Sequence, residues 1–168
     1  MLLIIKKETQ VAKVVTFANV KGGSGKSTLC INMAAILIRA GNSVAIIDAD
    51  QQKCAQDWIT GTKDKLLSRV EIIEPVELKE AEDVEVDFLL IDTQGSLTKE
   101  MAQFLFQSSL IITPCRASRD DIVGQGWIEV FLKQSNQNIK KAPILTVLNG
   151  VNKRSSILSH VIEQLKED

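Results

Sequence analysis

Between an apolar, β-branched run from Val11 to Phe17 and a helix-patterned segment from Leu29 to Ala40 lies the connection Lys21-Gly22-Gly23-Ser24-Gly25-Lys26-Ser27-Thr28. The run reads as a strand buried in a parallel sheet, and the segment after the loop carries apolar residues at helical spacing. A strand, a glycine-rich turn and a helix in that order make a phosphate cradle. Glycines let successive backbone N–H groups point into one concavity, which opens on a helix N-terminus whose unpaired amides and dipole favour anions. Against the pattern G-x-x-x-x-G-K-[ST], the alignment beginning at Val20 lacks the first glycine and leaves K-G-G-x-G-K-[ST]. The half that carries the chemistry is intact. Gly22, Gly23, Ser24 and Gly25 supply backbone donors, Lys26 reaches the outer phosphates and Ser27 ligates Mg²⁺, so nucleoside triphosphate binding is the leading expectation.

The same alternation continues along the chain. Strands are expected near 11–17, 43–48, 70–74, 86–91, 109–113 and 143–149, and helices near 27–40, 54–67, 77–83, 97–107, 119–134 and 155–166. This predicts a three-layer α/β fold, a mostly parallel twisted sheet with helices on both faces. Gly41 is placed as the residue that stops the first long helix, and Ser118-x-x-Asp121 resembles a capping box. The 168 residues suffice for one domain with its own core, and residues 1–10 read as a short extension or an added edge strand.

Ligands of such sheets sit at the carboxyl ends of the strands, so the residues there form the functional shortlist. The second strand ends in Asp48-Ala49-Asp50-Gln51-Gln52, where two carboxylates could orient a water and support Mg²⁺; a solvated Asx turn is the alternative for an isolated D-x-D. The fourth ends in Asp92-Thr93-Gln94-Gly95-Ser96, four apolar residues and then an aspartate, as in a Walker B strand. There Asp92 holds Mg²⁺, and Gly95 offers a backbone N–H to the γ-phosphate. The fifth ends near Arg116 and Arg119, residue types more often solvated than catalytic in such loops. The sixth ends in Asn149-Gly150, where Asn149 could hydrogen-bond a purine ring or simply make a turn.

A net charge of −1 gives no global field toward nucleic acid or anionic lipid, so any such contact must be local. Cys30, Cys54 and Cys115 are scattered and odd in number, which suits a reduced, cytoplasmic interior. No run reaches the roughly 18 apolar residues of a membrane span. The lone His160 has no companion for metal or acid–base work, and Trp58 and Trp127 are expected as packing anchors on helices.

Taken together, Lys21 to Thr28, Asp48-Ala49-Asp50 with Gln52, the Asp92 strand end and the Ile111 to Asp120 segment resemble the ParA/MinD family of deviant Walker ATPases, in particular the small plasmid partition type. The resemblance runs from about residue 12 to the end and implies a P-loop NTPase fold. It implies an ATP- and Mg²⁺-dependent ATPase that forms a nucleotide-sandwich homodimer in plasmid or chromosome partition. Lys21 would cross to the partner's phosphates, Lys26 would grip the β- and γ-phosphates, and Thr28 would support the α-phosphate. Ser27, Asp48 and Asp92 would serve Mg²⁺, Asp50 would position the water, and Gly95 would sense the γ-phosphate. A centromere-binding adaptor protein would stimulate hydrolysis, non-specific DNA is a further partner, and no membrane is expected.

The chain departs from that pattern at Gln51, where relatives carry proline, and at Arg116 and Arg119, in a loop that is otherwise proline-rich. The C-terminal strand and helix of relatives are expected to be absent, which leaves Lys140, Lys141, Lys153 and Arg154 as local candidates for DNA. Competing functions are a membrane-associated MinD-like positioning ATPase, which the acidic final segment disfavours, and a metal-cluster carrier, which the lack of paired cysteines disfavours. A nucleotide-binding scaffold with little turnover is the third.

Overall fold

In a computed structural model of the chain, which describes residues 11–75, 84–134, 142–152, 154, 158, 161 and 162, the β-branched runs become a parallel sheet. Its strands are β1 (Lys13–Phe17), β2 (Val44–Asp48), β3 (Glu71–Ile73), β4 (Phe88–Asp92), β5 (Leu110–Cys115) and β6 (Ile144–Leu148). Their spatial order is β3-β2-β4-β1-β5-β6, and every pairing is parallel. Parallel neighbours need crossover connections, and α1 (Lys26–Arg39), α2 (Cys54–Gly61), α3 (Lys99–Gln107) and α4 (Arg119–Gln134) lie between successive strands.

Alternation along each strand divides the core between the two faces. Val15 and Phe17 of β1, Val44 and Ile46 of β2 and Leu90 of β4 pack with Cys30, Ala34 and Ile38 of α1 and Ile59 of α2. Val14, Ala45, Ile47, Leu89 and Ile91 point the other way, with Phe104 of α3, and Met101, Leu105, Ile128 and Leu132 from α3 and α4 continue that layer. Each large aliphatic side chain so buried contributes about 1.5–3 kcal/mol of transfer free energy. The helices after β1 and β4 therefore cover opposite faces, and a crevice opens at the carboxyl ends of these two adjacent strands. Register sharpens the placement: Phe17 pairs with Asp92 and Asp48 pairs with Asp92, so the ends of β1, β4 and β2 lie level.

The expected punctuation is present. Gly41 takes φ +91° and its N–H bonds Ile38 O at 2.9 Å, while Asn42 N–H reaches Leu37 O at 3.1 Å, closing α1. Asp121 N–H donates to Ser118 Oγ at 3.3 Å and opens α4. Two expectations are corrected. The helix expected over 54–67 ends at Gly61, because Thr62 is extended and Asp64 Oδ1 accepts Leu66 N–H at 2.7 Å, diverting the backbone into a 3-10 turn over Leu67–Arg69. Trp58 and Trp127 are not packing anchors, since they are 56% and 55% exposed. The helices expected near 77–83 and, for the most part, 155–166 lie outside the described residues, as do residues 1–10, His160, Lys140, Lys141 and Lys153. No helix among the described residues is long and apolar enough to cross a membrane.

Candidate nucleotide site

The loop after β1 is fixed before it turns. Asn19, fully buried, donates through Nδ2 to Pro114 O at 2.7 Å and accepts Lys21 N–H on Oδ1 at 2.9 Å, which holds the start of the loop against the end of β5. Gly23 (φ +71°) and Gly25 (φ +102°) then take left-handed conformations that an L side chain rarely adopts, and Gly25 caps α1. The loop borders a cavity of about 620 Å³ whose walls include Gly22, Gly23, Gly25, Lys26, Ser27 and Thr28. Asp50, Gln51, Gln52 and Cys54 close it on one side, and Gln94, Gly95 and Ser96 on the other. Gly95 has to be small: a Cβ there would lie 3.1 Å from Gly22 N, so the segment after β4 rests directly on the loop.

Lys26 and Asp50 line this cavity, and Asp92 lies buried beside Ser27 and Lys26 without lining it, an arrangement that could hold a polyphosphate and a cation. Lys26 is largely buried, its Nζ donates to Lys21 O at 3.4 Å, and burial holds its pKa below the ordinary lysine value despite the attraction of Asp92 and Asp50. Asp92 is fully buried with neither carboxylate oxygen well hydrogen-bonded. Burial, reinforced by Asp48 and Asp50, raises its pKa from 3.8 to about 7, against the opposing pull of the Ser27 hydroxyl and Lys26. Ser24 Oγ is likewise buried without a partner. A buried carboxylate left in this state fits a cation, which would restore its charged form. Among the described residues no three His, Cys, Asp or Glu side chains converge into a cage. Mg²⁺ takes one or two protein ligands beside phosphate oxygens and keeps its waters, and Asp92 with the Ser27 hydroxyl beside it could supply them.

The structure brings most of the expected residues together and gives Asp48 and Asn149 partners other than those expected. Asp50 lines the cavity, and its Oδ1 accepts Gln52 N–H at 2.9 Å, so the Asx turn and a place facing the ligand coexist. Asp48, expected to serve Mg²⁺, accepts Asp50 N–H on Oδ1 at 3.1 Å and Gln56 N–H on Oδ2 at 2.9 Å. Its carboxylate therefore anchors the Asp50 loop to α2. Asn149, expected near a purine, instead donates from Nδ2 to Ser24 O at 3.0 Å and does not line the cavity. Lys21 stands half-exposed at the loop's edge, where its ammonium pairs with Asp120 at 3.1 Å on the first turn of α4.

Some contributors were not foreseen. Thr93 Oγ1 donates to Phe17 O at 2.9 Å and stitches the ends of β4 and β1 together. Lys53, the residue before α2, has φ +49°, and its Nζ reaches Asp48 O at 2.6 Å and Glu74 at 3.5 Å. Arg116 donates to Gly23 O. None of these carries a local sequence signal, because each depends on a partner elsewhere in the fold.

Comparison with known proteins agrees with this architecture. The maintenance of carboxysome distribution protein A of Halothiobacillus neapolitanus is 25% identical over 152 residues, spanning 87% of this chain and 70% of that protein. The structure of a plasmid partition protein from Borrelia burgdorferi has a TM-score of 0.73 at 22% identity, covering 94% of this chain and 86% of that one. Cobyrinic acid a,c-diamide synthase from Mycobacterium smegmatis, solved with a bound ATP analog and magnesium, has a TM-score of 0.72 at 17% identity over 94% and 82% of the two chains. At these identities the two structures speak to the fold alone. The model of the CobQ/CobB/MinD/ParA nucleotide binding domain matches residues 15–168. With a match of that extent, the chain belongs to the family of CobQ/CobB/MinD/ParA nucleotide binding domains.

Proposed function

We propose that this chain is a Mg²⁺-dependent ATPase that dimerises around ATP and acts in plasmid or chromosome partition. The observation that carries the reading is the junction of a glycine cradle, a largely buried Lys26 and a buried, unsatisfied Asp92 at the ends of two adjacent strands. Lys26 would grip the β- and γ-phosphates, and Thr28, on the first turn of α1, would support the α-phosphate. Ser27 and Asp92 would hold Mg²⁺, which when bound neutralises charge developing on the transferred phosphoryl group. Asp50 would orient the attacking water, while Asp48 keeps Asp50's loop seated on α2. Gly95 lies against Gly22 and would report the γ-phosphate to the segment after β4. Catalysis of this kind is positioning plus electrostatics, so turnover by the isolated chain should be slow and should rise with a centromere-binding adaptor. Non-specific DNA would be a further ligand of the ATP-bound dimer, in the cytoplasm and on the nucleoid.

Calorimetric titration with ATP, with Mg²⁺ and with a chelator, tests the site. Micromolar binding that needs Mg²⁺ and is lost in Lys26→Ala is expected; no binding by the native protein would overturn the reading.

A further inference from the structure

In the loop between β1 and α1, three carbonyls each accept a side-chain donor. Lys21 O takes Lys26 Nζ at 3.4 Å, Gly23 O takes an Arg116 Nη and Ser24 O takes Asn149 Nδ2 at 3.0 Å. Arg116 and Asn149 come from just past the ends of β5 and β6, and neither lines the cavity. Each carbonyl shares its peptide group with the next residue's N–H, so a donor on the oxygen polarises the N–H on the other side of that unit. Arg116 acts in this way on Ser24 N–H and Asn149 on Gly25 N–H, two of the amides expected to face phosphate. The two glycines leave room for these contacts. A Cβ on Gly23 would lie 3.1 Å from Arg116 Nη2, and one on Gly25 would run into the Asn149 amide.

We infer that Arg116 and Asn149 are positioning residues of the nucleotide site, bracing and polarising the phosphate loop from behind and so raising its affinity for polyphosphate. This rests on the nucleotide reading above. The fixed charge of Arg116 adds to the effect, and because the side chain is exposed its share falls as ionic strength rises.

The test compares native protein with Arg116→Ala, Arg116→Lys and Asn149→Ala, measuring competition of ATP, ADP, AMP and inorganic pyrophosphate against a fluorescent nucleotide, and thermal unfolding without ligand. Loss of one charge-assisted hydrogen bond predicts about tenfold weaker ATP, ADP and pyrophosphate binding in Arg116→Ala. The loss should be smaller for AMP, which lacks the β-phosphate, and smaller at high salt. Arg116→Lys should recover part of the affinity, Asn149→Ala should weaken polyphosphate binding without the salt dependence, and unfolding midpoints without ligand should hold. Affinities within twofold of native in both alanine variants would overturn the inference. So would equal losses for all ligands together with a fall in ligand-free stability that lysine does not rescue, since that describes a general structural role. If native protein binds ATP, Lys26→Ala does not, and both alanine variants match native, this inference alone falls. If native protein binds no nucleotide, both fall.

Discussion

Asp92→Asn should make the ligand-free protein more stable at neutral and alkaline pH while disabling its nucleotide site. In the folded chain the Asp92 carboxyl holds its proton until about 7, against 3.8 ordinarily, chiefly because it is buried, with Asp48 and Asp50 adding to the effect. An unfolded chain loses that proton near the ordinary value, so between the two the folded state binds more protons and stability falls as pH rises. The window is about 3 pH units wide, and at about 1.4 kcal/mol per unit the folded state carries a burden of about 4 kcal/mol by pH 8. Asparagine keeps the shape and removes the charge. The variant should therefore match native protein near pH 4 and exceed it by about 2–4 kcal/mol at pH 8, a rise of roughly 5–15 °C in unfolding midpoint for a chain of this size. Mg²⁺ and ATP should raise the native midpoint by ligand linkage and leave the variant where it was. Thermal unfolding of both proteins from pH 4 to 8.5, with and without ligand, measures all of this. Parallel pH profiles, or a variant less stable than native at pH 8, would refute the argument that Asp92 is held as a strained charge awaiting a cation.

Two further changes probe the supports of the loop. Gly124→Ala would put a Cβ 2.8 Å from Asn19 Oδ1 and 3.2 Å from Val20 Cγ2, and Asn19 cannot yield without losing its bonds to Pro114 O and Lys21 N–H. Chemical denaturation should show a loss of about 1–3 kcal/mol, with weaker nucleotide binding as Asn19 to Lys21 shift. Lys53→Gly removes a side chain from a left-handed position but also its contacts with Asp48 O and Glu74. Relief of about 1 kcal/mol of backbone strain should largely offset those losses. The ligand-free unfolding midpoint should move little, whereas the Asp50 loop should become more open to limited proteolysis.

Legibility in the sequence followed the range of the signal. The runs Val44 to Asp48 and Phe88 to Asp92 are local patterns, and they became strands at nearly the expected bounds. The glycine loop was equally plain, because its chemistry needs those residues at that spacing. Contacts across long separations were not: Arg116 reaches Gly23 across 93 residues and Asn149 reaches Ser24 across 125. The backbone donors to the two oxygens of Asp48 depend on how the next turn folds, so they too carry no local signal. The tryptophans show the same limit. On α4 the buried positions are Asp121, Gly124, Gln125, Ile128 and Leu132, while Val123, Trp127 and Val130 face outward. Helical spacing identifies two apolar stripes there, and the choice between them follows from tertiary contacts, Gly124 lying close to Asn19 and Ile128 and Leu132 packing with Met101, Leu105 and Ile111.

In the proposed ATP-bound dimer, Lys21, here paired with Asp120 beside the loop, would leave that carboxylate for the phosphates held by the second subunit. Light scattering after size exclusion of native protein and Lys21→Ala, each with Mg²⁺ and ATP or ADP, tests it most directly. Native protein should be dimeric in ATP and monomeric in ADP, and Lys21→Ala should stay monomeric in both while still binding ATP. A native protein whose mass ignores the nucleotide, or a Lys21→Ala variant that dimerises in ATP as the native chain does, would contradict it.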